Sequence, residues 1–251
     1  MPDVVTYQPA VRRFVDREQL GIAAGAEIAS AMRRRLRDQG TLRMVFASAP
    51  SQESTLRALS GAPELDWSRV TAFHLDEYLG LRRGAPQQFG SWLSRTLFER
   101  VPIGRVHLMN PGGDARPAVA RYSQLLSAEP IDIVCLGIGV NGHLAFNEPP
   151  ADFSATSVVK VVELDVASRQ QQVDDGCFED LDDVPHRAIT LTIPTLLSAR
   201  ELYCMVPGEA KRSAVSRALN GPVTEAVPAS ALRLHPHCMV FVDRGSDPDQ
   251  T

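Results

Sequence analysis

Ile131-Asp-Ile-Val-Cys-Leu-Gly-Ile138 is an apolar run that ends in glycine and leads into Gly139-Val-Asn-Gly-His143. A strand with one wet face alternates apolar and polar side chains. A run without alternation marks a strand covered on both faces, as at the centre of a parallel sheet. Upstream, Leu42–Ala47, Val70–Tyr78 and Val106–Met109 read as strands, with helices predicted from Ser51, over Phe89–Phe98 and over Pro117–Leu126. Asp16 with Gln19 supplies a helix-start signal. After it Leu20, Ala24, Ile28, Met32 and Leu36 form one stripe that should stop near Gly40. Downstream, Val158–Leu164, Ala188–Ile193, Leu202–Val206 and Cys238–Val242 read as strands, and Glu209–Leu219 as a helix. Strands alternating with helices imply right-handed crossovers. The expected fold is therefore a three-layer α/β architecture with a largely parallel sheet and helices on both faces. No repeat or linker interrupts the pattern, so residues 1–251 are expected to form one domain.

The composition supports a packed globular chain. Of 251 residues, 44% are hydrophobic and 22% charged, which excludes a disordered or collagen-like polymer. A net charge of −4 lacks the basic field that a nucleic-acid binder requires, so no nucleic acid is expected as partner. No apolar run reaches the roughly 18 residues of a spanning helix, so no membrane is expected either. The segment MPDVVTYQPAVRRF has no apolar core of leader length, which points to a cytoplasmic location. Cys135, Cys177, Cys204 and Cys238 match no zinc spacing and are expected to be free thiols.

Ligands of open α/β sheets bind beyond the carboxyl ends of the strands, and four such ends carry chemistry. After the first strand, Ala47-Ser-Ala-Pro-Ser51 and the helix behind it offer backbone N–H groups to an anion; Ser48, Ala49 and Ser51 are the candidates. The second strand ends in His74-Leu-Asp-Glu-Tyr78, where Asp76 and Glu77 suit acid/base work. Read as one strand, this stretch puts His74, Asp76 and Tyr78 on one face. His74 and Asp76 lack a third ligand at a recognisable spacing, so no metal is expected. At the central strand, Gly139 and Gly142 permit a tight turn, and His143 and Glu148 are titratable groups at its mouth. At the fourth end, Lys211 sits in a first helical turn against the dipole, a placement that a bound phosphate would repay.

These segments resemble one family. His74-Leu-Asp-Glu-Tyr-Leu-Gly-Leu81 is similar to the "MDEYVGL" segment of glucosamine-6-phosphate deaminases. Leu136-Gly-Ile-Gly-Val-Asn-Gly-His-Leu-Ala-Phe-Asn-Glu-Pro149 is similar to their "GIGxDGHIAFNEP" signature. Ala188–Leu197 resembles "ALTVGVGTLL", Gly208–Lys211 "GxxK", and Ser230–Pro236 "SALQxHP". The sister family, 6-phosphogluconolactonase, carries "DER" and "GHTASLFP" instead, and Asn147 and Glu148 side with the deaminases. The resemblance implies a Rossmann-like fold and conversion of an amino-sugar 6-phosphate to fructose 6-phosphate and ammonia, without a cofactor. It implies that Asp76 moves the C2 proton to C1, that His143 opens the sugar ring with Glu148 orienting it, and that the 47–51 loop and Lys211 hold the phosphate. The expected partner is a small-molecule sugar phosphate, and the sequence leaves room for a homo-oligomer.

Three departures qualify the resemblance. Asn141 stands where the family has aspartate, so the ring-opening group should be weakened or rearranged. The phosphate loop reads Ser48-Ala-Pro-Ser-Gln52 rather than "TGSTP". An arginine that the family places before "ALTVGV" is missing from Asp175–Phe178, and Arg169 is the candidate substitute. The segment Ser154–Ser157 lacks the arginines of allosterically activated members, so no such activation is expected. The alternatives are a 6-phosphogluconolactonase-like hydrolase, an isomerase for another sugar phosphate, and a non-catalytic sugar-phosphate sensor.

Overall fold

The computed structural model describes residues 5–111 and 114–250. The first four residues of the segment read for a leader lie outside this range. Helix α1 (Arg17–Gln39) starts where Asp16 accepts a 2.8 Å hydrogen bond from the Gln19 N–H. It ends at Gly40, whose φ of 82° is left-handed. Its stripe of Leu20, Ala24, Ile28, Met32 and Leu36 is buried as expected.

Seven strands form the main sheet: β1 (Ala10–Phe14), β2 (Leu42–Phe46), β3 (Val70–His74), β5 (Arg105–Val106), β6 (Ile133–Leu136), β9 (Glu201–Val206) and β10 (Cys238–Asp243). All pairs are parallel, in the order β1-β10-β9-β6-β2-β3-β5. The strand read as central is the fourth of seven. Neighbouring residues on these strands enter opposite cores. Met44, Phe46, Ile133, Cys135, Tyr203 and Met205 pack with α1 and with α2 (Glu53–Ser60). Val45, Val134, Leu136, Leu202 and Cys204 pack with α4 (Ala115–Ser127) and α7 (Arg212–Asn220). Helices therefore cover both faces, and burial of this apolar area is the dominant favourable term in the fold. The four cysteines are free, Cys135, Cys204 and Cys238 being buried. No helix among the described residues is long and apolar enough to cross a membrane.

Three expected strands behave differently. Val70–Tyr78 is not one strand: the chain leaves the main sheet after His74, and β4 (Asp76–Tyr78) joins a second, antiparallel sheet, β4-β8-β7. Here β7 is Val159–Glu163 and β8 is Arg187–Leu191, both placed above in the single run of alternating strands and helices. The physical reason is visible in β7, where Val159 is buried but Val161 and Glu163 are exposed. Such a strand has a wet face and cannot serve in a doubly covered sheet. At the switch, Leu75 donates to Phe46 O of the first sheet and accepts from Leu191 N of the second. His74 pins this corner, its Nδ1 lying 2.8 Å from the Asp76 carbonyl and its Nε2 accepting from the Met109 N–H at 2.9 Å. The first bond fixes the tautomer, and burial pushes the imidazole down to about 4, so it stays neutral. With both nitrogens used, His74 has no lone pair for a metal.

Candidate functional site

Strands β2, β3 and β6 end level, since Phe46 stands opposite both His74 and Cys135. The loops that follow them converge with the turn after β9 on a cleft of about 520 Å³, part of it open to solvent. The first loop contributes Ala47, Ser48, Ala49, Ser51 and Gln52. Ala49 is extended, and Pro50 then opens a single 3-10 turn through Gln52, so the loop bends without glycine. Ser48 donates to Phe89 O at 3.4 Å, while the Gln52 amide donates to Met205 O at 3.1 Å and so ties the loop to β9.

The sheet-to-sheet switch delivers Asp76 to the cleft floor. Among the described residues nothing donates a hydrogen bond to its carboxylate. Burial first, then the negative charges of Glu77 and Glu148, hold its carboxyl well above the ordinary value. A cation brought beside it would reverse that preference.

Beyond β6, Gly137, Ile138, Gly139 and His143 line the opposite wall. Gly139 is glycine for a steric reason: a Cβ there would stand 2.2 Å from Nε2 of His143, inside the imidazole itself. The His143 N–H donates to Asn141 Oδ1 at 3.0 Å, and Nδ1 lies 2.8 Å from Ser168 Oγ and 3.5 Å from Glu148 Oε2. Asn141 Nδ2 donates to Glu148 Oε2 at 2.7 Å and to Asp165 Oδ2 at 3.0 Å. Burial raises the Glu148 carboxyl, but the hydrogen bonds and charge of His143, with help from Ser168 and Asn141, outweigh it, and the group titrates below its ordinary value. Glu148 is thus ionised beside His143.

Lys211 closes the far end. It is 9% exposed, lines the cleft, and makes no side-chain hydrogen bond among the described residues. Burial pushes its ammonium down to about 8, with the Asp175 charge opposing the shift. A buried cation without a partner, facing a cleft, is suited to an anion.

The structure therefore gathers Ser48, Ala49, Ser51, Asp76, Gly139, His143 and Lys211 around one cleft, with Asn141 and Glu148 directly behind His143. Three candidates lie elsewhere. Glu77 accepts from Tyr78 N (3.0 Å), Phe89 N (3.0 Å) and Gly90 N (2.9 Å), so it caps helix α3 (Phe89–Leu93). Burial pushes it up to about 7 despite those donors. Gly142, with φ of 97°, shapes the turn and accepts from Ala229 N. Arg169 does not replace the missing arginine. Its guanidinium donates to the carbonyls of Val184 and Leu181, because the helix that carries it turns that side chain away from the cleft. That helix, α5 (Val166–Asp174), presents Gln171 and Gln172 to the cleft and Ser168 to His143. None of these was singled out from sequence. An Asp165-x-x-Ser168 cap was the one legible signal, with Asp165 Oδ1 accepting from Ser168 N at 2.6 Å. Leu75, Phe89, Ala145 and Phe146 complete the lining.

Comparison with known proteins places this geometry. Residues 15–240 match the family model described as glucosamine-6-phosphate isomerases/6-phosphogluconolactonase. A glucosamine-6-phosphate deaminase of Lactobacillus delbrueckii subsp. bulgaricus is 35% identical over 213 residues, 83% of this chain and 88% of that protein. One from Staphylococcus epidermidis is 38% identical over 190 residues, 73% of this chain and 76% of that protein. Among solved structures, a monomeric glucosamine-6-phosphate deaminase superposes with a TM-score of 0.86 at 30% identity, covering 94% of this chain and 98% of that one. A 6-phosphogluconolactonase from Shewanella baltica, at 20% identity and a TM-score of 0.79 over 95% of this chain and 99% of that one, shares the fold. The chain belongs to the family of glucosamine-6-phosphate isomerases and 6-phosphogluconolactonases.

Proposed function

We propose that the protein is a glucosamine-6-phosphate deaminase, an enzyme that converts glucosamine 6-phosphate and water to fructose 6-phosphate and ammonia. The observation that carries this reading is the convergence of Asp76 and His143 on one cleft that ends in the unpartnered cation of Lys211. The phosphate lies at Lys211 and the N–H and hydroxyl groups of the 47–52 loop. That places the sugar's reactive end between Asp76 and His143. His143 takes the O1 proton and returns a proton to the ring oxygen, which opens the ring to the aldehyde. The C2 proton is then acidic, and the Asp76 carboxylate moves it to C1. Together with one proton passing from the C2 ammonium to O1, this turns C1 into a hydroxymethyl carbon and C2 into an iminium, to which water adds before the C–N bond breaks and ammonia leaves. The substrate's own ammonium at C2 brings a cation beside Asp76, and so favours its ionised form when it is needed as base. Glu148, held ionised, supports the positive charge that passes through His143. The same reading takes residues 1–251 as one domain working in the cytoplasm, with a sugar phosphate and no nucleic acid or membrane as partner.

The direct test is enzyme-coupled detection of ammonia from glucosamine 6-phosphate with purified protein. Turnover is expected; no ammonia at any pH between 6 and 9 rejects the substrate. A narrower prediction follows from the Gly139 contact. Gly139→Ala must displace the His143 ring, so ammonia release should fall roughly 100-fold. The melting temperature should fall by only a few degrees, because the ring can swing towards the cleft at the cost of its buried bond to Ser168. Full activity in Gly139→Ala would show that His143 need not sit where the structure has it.

A further inference from the structure

We propose that Ser168 and Asp165, on the first turn of α5, are positioning residues of this site: Ser168 sets the His143 tautomer, and Asp165 acts through Asn141 to hold Glu148. This deepens the proposed reaction and rests on His143 being its proton shuttle.

The argument is donor and acceptor bookkeeping around one hydroxyl. Ser168 is fully buried and has a single proton to give. Its oxygen lies 2.8 Å from His143 Nδ1, and 3.5 Å from Asn141 Nδ2, whose two protons are spent on closer acceptors. Asn141 Nδ2 can only donate, and an ionised carboxylate can only accept. A bare Nδ1 would set its lone pair against the ionised Glu148 Oε2 across 3.5 Å, so the ring proton is held on Nδ1 and the Ser168 oxygen accepts it. An acceptor at 2.8 Å from Nδ1 requires Nδ1–H, which leaves the Nε2 lone pair on the cleft side. That is the form a base for the sugar O1 proton needs. Glu148 alone would fix the ring poorly, because its 3.5 Å separation from Nδ1 is at the limit of a hydrogen bond.

The same bookkeeping explains Asn141. Both of its amide protons are used, one on Glu148 and one on Asp165, while its oxygen takes the His143 N–H. Asp165 meanwhile caps α5 through its other oxygen. An aspartate at 141 would aim a third carboxylate at two others across 2.7 and 3.0 Å. In this chain the amide of Asn141 bridges the carboxylates of Glu148 and Asp165. Restoring the aspartate of the similar signature should therefore harm the site.

The test combines NMR of the imidazole nitrogens with steady-state kinetics. In the uncomplexed wild type, at a pH where His143 is neutral, the 15N shifts should report Nδ1–H. Ser168→Ala should lose that bias and lower kcat roughly 10–100-fold, with KM within about three-fold, and Ser168→Thr should recover both. Asn141→Asp should lose roughly 10-fold or more in kcat. Wild-type His143 carrying its proton on Nε2, or Ser168→Ala with unchanged shifts and kcat, overturns the role of Ser168. Asn141→Asp at or above wild-type kcat overturns that of Asp165. Should Ser168→Ala not fold, the wild-type shifts and Ser168→Thr still decide. The tautomer measurement needs no substrate, so it stands apart from whether glucosamine 6-phosphate is turned over.

Discussion

Asp76→Asn is expected to abolish ammonia release and to make the protein harder to unfold. The catalytic loss follows from removing the base that transfers the C2 proton, a contribution of about 10²–10⁴-fold. The gain in stability follows from the surroundings of the carboxylate: buried, without a hydrogen-bond donor, and facing Glu77 and Glu148. Its folded-state value is raised above the unfolded one, so the folded protein binds this proton more tightly than the unfolded chain. Stability from that proton is fully present below the ordinary carboxyl value and is lost as pH rises through the folded value. An asparagine has no proton to lose. The melting temperature of Asp76→Asn should therefore match wild type near pH 4 and exceed it by a growing margin as pH rises. At roughly 2–4 °C per kcal/mol for a chain of this size, a rise of several degrees is readable by calorimetry. A variant that melts below wild type at pH 7.5 would mean that Asp76 supports the fold through contacts absent from the structure. One that keeps more than a tenth of the rate would remove it from the mechanism. This opposition of stability and activity is expected wherever a charge is buried for its reactivity.

How much of this site the sequence reveals depends on what each element buries. β6 was legible because Ile133 to Leu136 are buried at consecutive positions, and a doubly covered strand leaves no other pattern. The glycine turn after it was legible as a turn. That Gly139 makes room for an imidazole was not, since the contact belongs to a ring folded back over the loop. Alternation placed His74, Asp76 and Tyr78 on one face. In the structure the His74 ring pins the corner, Asp76 enters the cleft, and Tyr78 packs among Phe89, Phe146 and Phe178. Period-two reasoning fails wherever a chain changes sheets, and nothing in Val70–Tyr78 alone announces the change. α5 escaped notice for a related reason. Its buried residues are Ser168, Arg169 and Gln172, so it has no apolar stripe to find. A helix whose inner face is polar is invisible to hydrophobic periodicity, and here it is polar because it faces the site. β1 was missed at the opposite extreme: an edge strand with Arg12 and Arg13 exposed buries too little to leave a signal.

The other large effect belongs to Lys211. Its folded-state value, pushed down to about 8 by burial, lies below that of a free lysine. The folded protein thus prefers the neutral amine. Its stability is greatest above the unfolded value near 10.5, declines as pH falls towards 8, and is lowest below that. At pH 7 burial disfavours the Lys211 cation, and a dianion bound beside it removes the penalty. Inorganic phosphate should therefore raise the wild-type melting temperature at pH 7, by an amount that grows with concentration as expected for a ligand bound only by the folded state. Lys211→Met should melt above the wild type without ligand at pH 7, match it near pH 10.5, and show no phosphate-dependent rise. A charged hydrogen bond contributes about 1.5–3 kcal/mol, so KM for glucosamine 6-phosphate should increase roughly 10- to 100-fold. The rate at saturation should fall far less, because Lys211 holds the phosphate in ground and transition states alike. The glutamines at this end carry no charge, so no neighbouring cation should rescue binding. A wild-type protein that phosphate does not stabilise, or a Lys211→Met variant with unchanged KM, would leave the cleft without an anion end and the proposed substrate without its anchor.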